Sequence, residues 1–144
     1  MNCRVRRNGY SLFELVLVMT IIGVCLALVA PRFGALRDGA AARGAVREIG
    51  ATFSTARQMA IARRAMVAIA LDTANGVIEL RSHGRVVLRR PLGAIYGVSI
   101  GSNRDSAVYD PRGLGYGVSN LTVVVRCGDA VDTLAMSRLG RVRW

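Results

Sequence analysis

The feature that most constrains this chain is RRNGYSLFELVLVMTIIGVCLALVAP, Arg6 to Pro31, an apolar stretch that holds a single acidic residue, Glu14. From Leu15 to Ala30, Thr20 is the one polar break in 16 residues. As a helix those residues span about 24 Å, short of a hydrocarbon core of about 30 Å. A helix that starts at Tyr10 has 21 residues. It reaches about 31 Å, and it takes Glu14 with it. A carboxylate in the membrane costs up to about 3 kcal/mol at the centre, and less near the edge, unless a cation meets it.

Four readings of this segment compete. A cleaved secretory signal would use Arg4, Arg6 and Arg7 as its basic region, but Leu28 is too large for the small-residue pattern before a cut at Ala30, and Pro31 would follow the scissile bond. A lipoprotein signal ending at Cys25 has Val24 where a small residue is needed, and apolar residues continue past it. A buried helix of a soluble domain does not need so long an unbroken apolar run. A membrane helix fits the length, provided that Glu14 has a partner. Arg6 and Arg7 could reach it only by snorkelling. A free amine on Tyr10 would do better, because positions four apart share a helix face. That amine exists only if the Gly9–Tyr10 bond is cut.

A chain of 144 residues allows one domain and at most one membrane segment. The 113 residues that follow Pro31 suffice for a core without disulfide staples. An apolar fraction of 52% argues against disorder. All twenty basic residues are arginine, and the net charge of +11 favours anionic partners, nucleic acid or a phospholipid surface. Cys3, Cys25 and Cys127 have neither metal-knuckle nor CxxC spacing. Cys127, alone in the soluble part, reads as a small buried hydrophobe. Arg32, Arg37, Arg43 and Arg47 follow the apolar run closely, so the positive-inside rule leaves the topology open.

From Arg32 to about Ala62 the period is helical. Val46, Ile49, Phe53, Ala56 and Ala60 keep three-four spacing, with Phe33 and Leu36 one or two turns earlier on the expected apolar stripe. Gly34, Gly39, Gly44 and Gly50 each weaken such a helix by about 1 kcal/mol, and are compatible with close packing or with local melting on assembly. After Arg64 the pattern turns to strands: AMVAIAL, GVIELR, RVVLRR, AVYD, LTVVVRC and DTLAMS, separated by DTANG, SHG, DPRG and CGDA. The stretch from Gly93 to Ser106 is less regular and reads as a loop. The expected fold class is α+β, one long helix against antiparallel strands in two small sheets.

A short basic leader, Gly9, an aromatic residue, SLFEL and a long apolar helix resemble the class III signal of type IV pilins and type II secretion pseudopilins. The resemblance implies a prepilin peptidase that cuts after Gly9 and methylates Tyr10, although phenylalanine is the family's usual first residue. It implies that Glu14 neutralises a neighbouring subunit's N-terminal amine in the fibre, and that Pro31 kinks the helix at the membrane exit. It also implies a cytoplasmic N-terminus, an inner-membrane anchor in contact with lipid and a periplasmic globular domain. ARQMAIARRAMVAIAL (Ala56 to Leu71), YDPRG (Tyr109 to Gly113) and SRLGRVRW (Ser137 to Trp144) resemble the GspH/FimT branch. The corresponding domain plan is a leader at 1–9, a transmembrane helix at 10–31, an amphipathic helix at 32–64 and a β-rich domain at 65–144.

No catalytic constellation stands out. His83 sits in a hairpin-like RSHGR, Asp129 and Asp132 flank a turn, and no phosphate loop, cofactor motif or metal set is recognisable. Two functions from different classes remain. One is a minor pseudopilin in a secretion fibre, in contact with other pilins; the other is a FimT-like minor pilin that binds DNA through Arg141 and Arg143. In an extended terminal strand those two side chains would share a face. The leader makes the first prediction: mass spectrometry of membrane-extracted protein finds Tyr10 at the N-terminus, with or without a methyl group. Gly9→Val retains the leader, because a side chain then abuts the scissile bond. An uncut wild-type chain contradicts the reading.

Overall fold

The computed structural model describes residues 11–117 and 120–144. They fall into two units, one ending at Gly34 and one running from Ala35 to Trp144. Helix α1, Leu12–Arg63, contributes to both. Gly9 and Tyr10 lie outside the described residues, as does the side chain of Pro31, whose backbone is helical.

At its start α1 is capped by Ser11. The hydroxyl accepts the Glu14 N–H at 3.2 Å, and the Ser11 carbonyl accepts the Leu15 N–H at 3.1 Å. Its end is equally specific. Ala65 N–H donates to the Ala60 carbonyl and Arg64 N–H to that of Ile61, with Arg64 at φ 48°. This paired closure usually recruits glycine; here an arginine takes the left-handed position. Within the first unit, the large apolar side chains from Leu12 to Val29 are exposed, and the helix is apolar and long enough there to cross a membrane.

The second unit holds two four-stranded antiparallel sheets. One has the order β3-β2-β1-β5, from β1 (Val67–Asp72), β2 (Val77–Ser82), β3 (Arg85–Pro91) and β5 (Ser106–Tyr109). The other has the order β4-β6-β7-β8, from β4 (Ser99–Ser102), β6 (Leu121–Cys127), β7 (Ala130–Met136) and β8 (Val142–Arg143). The fold class is α+β, a long N-terminal helix packed on antiparallel sheets. The β2–β3 connection is a two-residue turn, His83 and Gly84, with φ values of 52° and 76°. Positive φ at both positions matches the right-handed twist of the strands, so His83 serves the turn.

The region from Gly93 to Ser106 differs from the expected loop. It contains β4, and the short helix α2, Leu92–Tyr96, begins just before it. These elements escape pattern reading because each anchors through few residues: Leu92 is buried in α2 and Ile100 in β4. Tyr96 packs its ring on α1 where Gly44 leaves room; a Cβ at Gly44 would stand 2.9 Å from the ring.

The core is one cluster. Val46, Ile49, Phe53, Ala56 and Ala60 of α1 are fully buried against Ile69, Leu80 and Tyr109 of the first sheet and Leu121, Val123 and Leu134 of the second. Alternation does this on β1, β5, β6 and β7, since successive side chains point to opposite faces. Leu36 and Phe33 depart from the expected stripe, each 66% exposed. The three-four spacing continues beyond the stretch of helix that the core buries. Ile49→Ala should therefore cost about 2–5 kcal/mol, and Leu36→Ala no more than about 0.5. Thermal unfolding of the full chain in detergent measures both; equal losses would contradict this assignment of the buried face.

Candidate functional site

The YDPRG and SRLGRVRW stretches, far apart in sequence, meet against α1. Asp110 shapes the first: its Oδ1 accepts the N–H groups of Arg112 at 2.9 Å and Leu114 at 2.8 Å. That turn sets Gly113 at φ 76°, where a Cβ would lie 2.7 Å from Ile61 and 3.2 Å from Arg57 of α1. The second stretch turns at Gly140, φ 71°, whose Cβ would come within 2.8 Å of the Tyr109 ring and 2.9 Å of the Gly113 carbonyl. Both glycines are required by the close approach as well as by the backbone.

Tyr109 ties the pieces together. Its ring meets Phe53 edge to face at 6.5 Å and 77°, and its hydroxyl donates to the Gly140 carbonyl at 3.3 Å. From Gly140 the chain runs into β8, where Arg143 pairs with Ala135. It ends with Trp144 laid on α1 at Gly50, where a Cβ would stand 2.7 Å from the indole. Among the glycines of α1, close packing is thus the role of Gly44 and Gly50.

Between α1 and this terminal segment opens a cleft of about 330 Å³, lined by Phe53, Ser54, Arg57, Tyr109 and Gly140 through Trp144. A second cleft, of about 530 Å³, lies beside Asn120, Thr122, Ala135 and Leu139. Arg141 and Arg143 border both. Three other arginines are taken up by carboxylates: Arg81 and Arg89 by Glu79 at 2.7 and 3.5 Å, and Arg90 by Glu48 at 3.2 Å. Arg57, Arg141 and Arg143 have no ion-pair partner among the described residues. The cleft brings three arginines together beside an exposed indole.

Glu14 is exposed in the first turn of α1, with its backbone N–H on Ser11. The SLFE spacing, serine three residues before glutamate, is a capping signal that the sequence reading passed over. It also missed Arg57 and Ser54. Gly50, Ser54 and Arg57 recur at four and three residues, so they share one side of α1, and that spacing was the available signal. Cys127 is half-buried with its thiol 3.7 Å from Asp38 Oδ1. Burial and the Asp38 carboxylate both push that thiol upward in pKa. Asp132 Oδ1 accepts the Thr133 N–H. No group of three His, Cys, Asp or Glu side chains is arranged to hold a metal among the described residues.

Two crystal structures of the type IV minor pilin FimU from Pseudomonas aeruginosa superpose on this chain. One gives a TM-score of 0.61 at 15% identity over 71% of this chain and 86% of FimU; the other gives 0.59 at 14% over 70% and 90%. The fold is a pilin fold. No protein-family model and no curated protein matches the chain. In this pilin fold the identity to FimU is low, so the likeness is one of architecture.

Burial pushes the Tyr109 hydroxyl up to about 12 from 10.0, against the opposing pull of the Arg57 charge. A folded-state value above the unfolded one means that the stability is fully present below pH 10 and is lost as pH rises toward 12. The loss is about 2 kcal/mol over that window. The chain has no lysine, and the Cys127 thiol, also pushed upward, is common to wild type and the Tyr109 variant. Thermal unfolding across pH 9–12 should show a slope in wild type that Tyr109→Phe flattens; parallel curves would mean that the hydroxyl is not shielded.

Proposed function

We propose that this chain is a minor subunit of a pilin-type fibre, and more narrowly a GspH-like pseudopilin that assists export through a type II secretion system. The observation that carries the reading is that one helix does two jobs. Its first unit exposes an apolar surface of membrane-spanning length, and its continuation, from Ala42 to Ala60, is the buried core of a pilin fold. A subunit so built can wait in a bilayer and leave it by exchanging lipid contacts for contacts with neighbouring helices.

In this reading a prepilin peptidase removes residues 1–9 on the cytoplasmic side and methylates Tyr10. The domain plan at 10–31, 32–64 and 65–144 then separates anchor, amphipathic helix and periplasmic domain, and Pro31 kinks the helix where it leaves the membrane. Glu14 receives the amine of a neighbouring subunit. Glu14→Ala removes that acceptor but leaves the Ser11 cap, which uses the Glu14 backbone N–H. The variant should insert normally, yet be depleted at least severalfold from sheared fibres relative to membranes. Unchanged incorporation would make Glu14 a residue of the membrane interface only.

A second reading, a FimT-like minor pilin that binds DNA for uptake, is favoured by the unpaired arginines at the terminal segment. Phosphate contacts of this kind position a nucleic acid without reading its sequence. The full chain in non-ionic detergent, titrated with duplex DNA at several salt concentrations, tests it. Replacing Arg141 and Arg143 by alanine should weaken binding to unrelated sequences alike and flatten the salt slope by about 2 units. Absence of salt-dependent binding by wild type leaves the secretion fibre as the function.

A further inference from the structure

The cleft between α1 and the terminal segment has contents that duplex phosphate binding does not use. Arg57 enters it from the helix, opposite Arg141 and Arg143. Ser54 adds a hydroxyl one turn before Arg57. Trp144 rests on α1 at Gly50, yet 63% of it remains exposed. An indole held in place and left open is a stacking surface, and base-on-aromatic stacking is available only from a base that is not already stacked in a duplex. The volume, about 330 Å³, is at the small end of the range for sites that enclose a small molecule, about 300–1,000 Å³.

Building on the DNA-binding reading, we propose that this cleft receives one unpaired nucleotide of a nucleic-acid strand. Its phosphate lies among Arg57, Arg141 and Arg143, and its base stacks on Trp144. The preferred ligand is then a single strand or a frayed end. An acidic peptide would satisfy the guanidiniums but leave the indole unused, so the combination favours a phosphate joined to a base. Arg57 also sits correctly for this. Its stem packs beside Gly113 while the residue lines the cleft.

Trp144 is the single tryptophan of the chain, so its fluorescence reports on this cleft alone. The full chain in non-ionic detergent is titrated with a short oligothymidylate, with a duplex of equal length and with polyglutamate. The oligothymidylate should quench Trp144 saturably and bind several times more tightly than the duplex. Arg57→Gln, which keeps most of the stem that packs on Gly113, should weaken oligothymidylate binding roughly tenfold. It should also lower the salt slope by about 0.7, one contact on a single strand. Arg43→Gln, elsewhere on α1, should change neither. Equal affinity for the two DNA forms, an unchanged Arg57→Gln, or equal quenching by polyglutamate overturns the proposal. If Arg141 and Arg143 matter for duplex binding while Arg57 does not, the inference fails and the DNA reading stands; if wild type binds no DNA, both fail.

Discussion

Both sheets depend on a single contact, the burial of one face of α1 between Ala42 and Ala60. The two sheets share no strand, and they are joined because Ile49, Phe53 and their helical neighbours fill the space that both enclose. Interiors pack at crystal-like density, so each small residue on that face has a consequence across the layer. Alanines at 45, 56 and 60 let strands approach the helix, while Phe53 fills the gap in front of Tyr109. Without the helix, each sheet would present an apolar face to water.

The terminal segment is held by the same face. Gly140 and Gly113 permit contacts that any side chain would block, and Tyr109 bridges them to Phe53. The result is mechanical. Arg141 and Arg143 are carried on backbone that hydrogen-bonds to Ser137 and to β7, and Trp144 closes on the helix at Gly50. Charge is placed by packing here. Arg89 and Arg90 of β3 pair with Glu79 and Glu48, whereas Arg141 and Arg143 pair with no carboxylate among the described residues.

Much of the fold was legible from alternation and spacing. Val46, Ile49, Phe53, Ala56 and Ala60 announced the buried face, and the valine-rich segments with SHG and CGDA between them announced hairpins. What was not legible has physical causes. Strand β4 and helix α2 are short and each contributes one main anchor, so no period could accumulate. Leu36 kept the right spacing on a part of the helix that the core does not bury. For the site, Arg141 and Arg143 were visible as a pair, but Arg57 joined them only through contacts between residues far apart in sequence. The roles proposed for Gly9, Tyr10, Glu14 and Pro31 would be exerted through a peptidase, a membrane and neighbouring subunits, so the support for them lies in the sequence pattern rather than in the fold.

Native-state amide hydrogen exchange on the full chain in detergent tests the central claim most directly. If one helical face holds both sheets, the slowest amides of α1 from Val46 to Ala60, of β1 and β2, and of β6 and β7 should share one opening free energy and move together when denaturant is added. A second sheet that opens separately, at lower free energy, while α1 and the first sheet stay protected, would show that the two sheets are not held by a common core and would contradict the account.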